Sequence, residues 1–220
     1  VTSDSIILLM EKAIEFSFNN MKFVKNNIFP LCFSEILDHF YQTPPKARSP
    51  KLIALFGALA SKCPDEFSAN YQLVFTKLYN PVLSMIQKNF DDFPEFRSEF
   101  FIFMEKLTYS CFNMIMRLPP DEFDTFLESI KFGTQHYQID VCEKSTYLLS
   151  KFLDLMRERL QPDELKEFSQ KYFVSLLLFS FKLLSNTSLK FAFSGHVNLI
   201  RSILLIPGIS VYAETIIQQL

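Results

Sequence analysis

No stretch of this chain alternates apolar and polar residues for long enough to make a strand. Apolar side chains return instead every three or four residues through most of its length. That pattern leaves the helix as the regular element and makes helix-on-helix packing the way to bury a core. It is clearest from residue 91 to 135, DDFPEFRSEFFIFMEKLTYSCFNMIMRLPPDEFDTFLESIKFGTQ. A first helix opens at Phe93-Pro94-Glu95, because the N–H that proline lacks needs no partner in a first turn. Phe96, Phe100, Phe103, Leu107, Cys111 and Met114 fill one face, and Phe101, Ile102, Tyr109, Phe112 and Met116 add a second apolar surface. Apolar on most sides, this helix is expected to sit between neighbours. A second opens at Leu118-Pro119-Pro120-Asp121-Glu122, its acids set against the positive end of the helix dipole. Phe123, Phe126, Leu127 and Ile130 form its apolar side, while Asp124, Glu128, Lys131 and Gln135 fall at i, i+4, i+7 and i+11 as a polar stripe. A buried helix followed by a one-sided one predicts a stacked hairpin whose second helix lines a solvated surface.

The same device recurs along the chain. Helices are expected over about 3–19 with Ser3 as cap, 27–42 with Pro30 in its first turn, 49–62, and 65–90 with a kink or split at Pro81. Others follow over about 139–159, 162–185 and 189–206, with a last one from about 210. Pro64-Asp65-Glu66-Phe67, Pro120-Asp121-Glu122-Phe123 and Pro162-Asp163-Glu164-Leu165 each stand where a second helix of a pair begins. First helices start at intervals of about 45 residues, the period of HEAT-type repeats. The expected fold class is therefore all-α, an α-solenoid of about five antiparallel hairpins over 3–42, 49–90, 94–135, 139–185 and 189–220. Together they would form a single segment cut from a longer solenoid.

The residue types also exclude chemistry. With four glycines there is no room for a glycine-rich phosphate loop. The net charge is −2 with both signs scattered, so no basic stripe invites nucleic acid, and the short run from Lys46 to Lys51 reads as a solvated linker. The apolar run from Phe173 to Leu184 carries Lys182 and falls short of the ~20 residues that span a bilayer. No membrane contact and no secretory signal are expected. Cys32, Cys63, Cys111 and Cys142 lack ligand spacing and read as buried free thiols. His39, His136 and His196 fall in three different hairpins and read as surface or boundary residues. Ser194-Gly195-His196 lacks the strand and elbow that expose a nucleophile, and the acid pairs Asp91-Asp92 and Asp121-Glu122 are explained by their place in first turns. No catalytic, cofactor-binding or metal-ligating residue is assigned, and the chain is not expected to be an enzyme.

The order and spacing of Phe93-Pro94-Glu95-Phe96-Arg97, Phe100-Phe101, Leu118-Pro119-Pro120 and Phe123 resemble the C-terminal HEAT repeats of the exportin-1 family, within the importin-β or karyopherin superfamily. The flanking helices are similar from about Met21 to about Gly208. The family usually has His at the position of Phe96 and often Ile at that of Leu118. The resemblance implies a receptor that binds leucine-rich export-signal cargo and Ran-GTP cooperatively. It implies passage through nucleoporin-lined pores and shuttling between nucleus and cytoplasm. In that family the cargo groove lies in central repeats, so its reactive cysteine has no counterpart among these four. C-terminal repeats there help enclose Ran, and a final acidic helix, before which this chain is expected to end, regulates cargo binding. The implied contribution here is scaffold and Ran-facing surface, with Asp124, Glu128, Lys131 and Gln135 as candidate contacts and Asp38 of an earlier helix as an outlying one. Periodicity and composition alone fit another HEAT scaffold equally well, such as an import receptor or a regulatory subunit of a phosphatase or kinase complex. The landmarks at 93–101 and 118–123 separate the two.

Overall fold

The computed structural model describes residues 3–17, 20–88 and 92–207, apart from the side chain of Ser3. The expected Ser3 cap and the helix from about 210 lie outside the described residues. Among these residues the chain is all-α with no strand, in keeping with an α-solenoid. Its helices are α1 (Ser3–Glu15), α2 (residues 21–42), α3 (Lys51–Lys62), α4 (Pro64–Ala69), α5 (residues 71–88), α6 (Pro94–Ser110), α7 (Phe112–Ile115), α8 (Pro120–Thr134), α9 (Ile139–Arg159), α10 (Pro162–Ser185) and α11 (Phe193–Leu204). They divide into two compact units, residues 1–125 and 126–220, the division falling inside α8.

In the first unit α1 packs on α3, and α3 on α6. These are first helices of successive expected pairs. The α3–α6 crossing is close at Gly57, where a Cβ would stand 2.9 Å from Cδ of Lys106 and 3.7 Å from Cδ2 of Phe103. A chain of rings runs through the core: Phe29 stacks on Phe33 at 4.1 Å, Phe33 meets Phe56 at 5.2 Å and Phe67 at 5.9 Å, and Phe67 meets Phe103 at 6.3 Å. As expected, α6 is buried on most sides, through Phe96, Arg97, Phe100, Phe101, Phe103, Met104, Leu107 and Thr108. It ends earlier than expected, at a break on Cys111.

Proline does something in this unit that the sequence reading did not foresee. Helix α2 starts at Met21 rather than near Asn27, so Pro30 lies in mid-helix. Helix α5 runs through Pro81, and the expected split falls instead at Asn70, whose side-chain amide donates to the Glu66 carbonyl at 2.9 Å. Each proline follows a π-helical turn, Val24–Ile28 before Pro30 and Phe75–Tyr79 before Pro81. A proline ring clashes with the carbonyl four residues back and offers it no N–H. A wider turn immediately upstream moves that carbonyl aside and keeps the helix continuous.

In the second unit α9 and α10 both pack on α11. Helix α10 opens with a reciprocal cap in which the Gln161 N–H donates to Oε2 of Glu164 at 2.9 Å. The helix expected from Leu189 begins as a 3₁₀ turn, Thr187–Ala192, and becomes α-helical only at Phe193. The Asn186 side chain accepts from the Ser188 N–H at 3.0 Å and starts that turn. Where α9 and α11 cross, a Cβ on Gly195 would lie 3.3 Å from Cγ2 of Thr146. No single described helix is long and apolar enough to cross a membrane.

Candidate functional site

The stripe predicted on α8 is present, but its members differ in freedom. The Glu128 side chain is 63% exposed and that of Lys131 only 16%. The Lys131 ammonium donates to Oε1 of Glu128 at 2.6 Å and lies 4.8 Å from the centre of the Phe179 ring on α10. Lys131 therefore does not point away from the apolar surface as expected: its long stem lies along that surface while the charge finds a carboxylate and a ring face. Gln135 is exposed and donates to the Lys131 carbonyl at 3.3 Å, and Asp124 is half-buried. Asp38, on α2 in the first unit, is ion-paired with Lys77 of α5. Glu128 and Lys131 thus come together on α8 with Gln135 in the turn just after it, whereas Asp38 is engaged elsewhere by its own chain.

The thiols are withdrawn from solvent. All four cysteines are free and buried. Burial pushes the Cys32 thiol up to about 12 and those of Cys111 and Cys142 to about 11, and it raises Cys63 as well. Thiols held so far toward the protonated form are poor nucleophiles and poor ligands. Among the described residues no three His, Cys, Asp or Glu side chains converge as a metal site.

Two of the three histidines overturn their expected surface placement. His39 is exposed, but His136 and His196 are buried. His136 accepts from the Gln138 N–H at Nδ1, 3.0 Å away, and stacks on Tyr137 at 4.7 Å. Desolvation holds His196 below the ordinary imidazole range, which keeps the buried ring neutral. Its position was readable, because Ala192, His196, Leu199 and Ile203 fall at i, i+4, i+7 and i+11 and all are buried.

Arg48 was likewise missed inside what read as a solvated linker. Its Nε donates to the carbonyls of Phe40 at 3.1 Å and Thr43 at 2.9 Å, and Nη2 donates to that of Tyr41 at 3.0 Å. The guanidinium lies 5.0 Å from the centre of the Phe40 ring. It closes the end of α2 by donating to the carbonyls there, that of Phe40 also accepting from the Thr43 N–H at 3.2 Å.

The family described as "CRM1 C terminal" matches residues 3–218. The chain belongs to the CRM1 C-terminal family. Relatives of this CRM1 C-terminal chain include Exportin-1 of Drosophila melanogaster, 26% identical over 188 residues, which cover 86% of this chain and 18% of that protein. Exportin-1 of Schizosaccharomyces pombe is 26% identical over 158 residues, 72% of this chain and 15% of that protein. Protein EXPORTIN 1B of Arabidopsis thaliana is 25% identical over 178 residues, 81% of this chain and 16% of that protein. The chain thus spans less than a fifth of the length of these relatives. Most landmarks of the CRM1 resemblance are buried: Phe96, Arg97, Phe100, Phe101, Leu118 and Phe123. They are packing residues, and they mark the family without marking its contacts.

Proposed function

We propose that this chain is a piece of a nuclear export receptor, one that carries leucine-rich export-signal cargo with Ran-GTP through the nuclear pore and shuttles between nucleus and cytoplasm. The observation that carries the reading is the CRM1 C-terminal match over residues 3–218. Within that receptor the chain supplies stacked hairpins of a longer solenoid and, through the exposed part of the α8 stripe, a surface turned toward Ran. It works by binding rather than catalysis. Cargo engages other parts of the receptor, and nucleoporins are further partners. The family match favours this reading over an import receptor or a phosphatase or kinase scaffold.

The test uses the complete receptor. Ran-GTP should bind more tightly when a leucine-rich export peptide is present, and the peptide should gain the same factor from Ran-GTP, because binding linkage is reciprocal. Ran-GDP should show no such gain. Independent binding of the two ligands overturns the reading.

A further inference from the structure

We propose that the groove between α9 and α11 in the second unit is a docking site for a short acidic peptide segment. Two adjoining cavities make the groove. One, about 230 Å³, is bordered by Glu143, Thr146 and Gly195, and the other, about 310 Å³, by Lys151, Asp154, Arg157 and Arg201. Tyr147, Ser150 and Asn198 line both, so the two are continuous. The close approach of the helices at Gly195 narrows the first cavity and leaves the second wider.

The wider cavity is cationic. Lys151, Arg157 and Arg201 face a single carboxylate there, that of Asp154. Asp154 is already committed, since its Oδ1 accepts from Nη2 of Arg157 at 3.1 Å. The other terminal nitrogen of Arg157, Nη1, is buried without a hydrogen-bond partner. That nitrogen is closed to solvent, so the charge the groove offers an incoming acid is carried by Lys151 and by the exposed Arg201. Lys151 lies 5.8 Å from the centre of the Tyr147 ring, and among the described residues neither it nor Arg201 has an ion-pair partner.

Shape selects the kind of acid. From Tyr147 to Arg157 is ten residues, or about 15 Å along a helix. That accommodates about four or five residues of extended peptide. Ser150 and Ser202 are small and leave the groove open, while Tyr147 and Leu205 are each half-exposed, at 50%, and offer apolar contact beside the cations. A free phosphate would use none of that length. Nucleic acid calls for a far longer run of positive charge than three side chains on a chain of net charge −2. The site does not depend on the export reading.

The experiment is fluorescence anisotropy on the full chain with a labelled peptide, Leu-Glu-Asp-Glu-Asp-Leu, beside its Gln/Asn counterpart and a single-stranded oligonucleotide of equal charge. Saturable binding of the acidic peptide, weakened by salt and at least tenfold tighter than the neutral one, is expected. Lys151→Glu/Arg201→Glu should remove at least tenfold of that affinity. Neither side chain is in the core, so the urea midpoint should be preserved, and Lys62→Glu should bind as the native chain does. Equal binding of the neutral peptide, equal binding of the oligonucleotide, or a double variant that binds normally would each overturn the proposal.

Discussion

At the scale of the residue, burial decides what each side chain can do. Phe103 is 1% exposed, meets Phe67 and lies beside the Gly57 crossing. Phe103→Ala should lower unfolding free energy by about 3–5 kcal/mol, read from urea denaturation. The thiols and His196 set a pH window. Above about 8.5 an unfolded cysteine loses its proton, whereas Cys32, Cys111 and Cys142 keep theirs to about 12, 11 and 11. The folded state then binds more protons, so stability is full below about 8.5 and falls as pH rises through the folded values. His196 runs the other way: its imidazole is depressed, so stability is present above the ordinary value of about 6.5 and is lost as pH falls. Urea midpoints should plateau between about 6.5 and 8.5, and replacing all four cysteines with alanine should flatten the decline between about 8.5 and 10. A midpoint still rising at pH 9.5 would refute this account.

At the scale of the element, the apolar period announced the helices, and proline announced less than it seemed to. Pro94, Pro120 and Pro162 open α6, α8 and α10 where the sequence placed them. Pro30 and Pro81 lie within helices, because a π turn upstream of each absorbs the clash that would otherwise end the helix. That remedy uses backbone geometry and leaves no mark in residue type. The end of α2 was equally hidden, since nothing in the run from Lys46 to Lys51 says that one of its cations folds back. Arg48→Ala should remove the three carbonyl contacts and cost about 1–2 kcal/mol, toward the low side for bonds to a charged group because the site is only partly covered. Arg48→Lys should recover only part of this, because an ammonium cannot fork across several carbonyls. Amide exchange near Gln42 should quicken in the alanine variant, whereas exchange in α6 should not.

At the scale of the whole molecule, the family could be recognised from the sequence because its landmarks pack the core; its contacts could not, because every solvated helix face shows the same polar period. The α8 stripe was a positional inference, and the structure changes how it must be tested. Reversing Lys131 would set a second acid beside Glu128 and strip the cation from the Phe179 ring. Reversing Asp38 would set a lysine against Lys77. Each of those variants disturbs its own fold, so weaker Ran-GTP binding by either would have two explanations. Glu128 and Gln135 separate them, being the exposed members of the stripe. Glu128→Lys places like charges three residues apart, which costs a helix only about 0.2–0.5 kcal/mol, and Gln135→Glu costs little more. If the stripe contacts Ran, Glu128→Lys/Gln135→Glu in the complete receptor should weaken Ran-GTP binding by about 1 kcal/mol or more, roughly fivefold, with the unfolding midpoint nearly unchanged. Rim charges act mainly through association, so the loss should appear in the on-rate and shrink as salt is added. An unaltered affinity would make the stripe an ordinary solvated face.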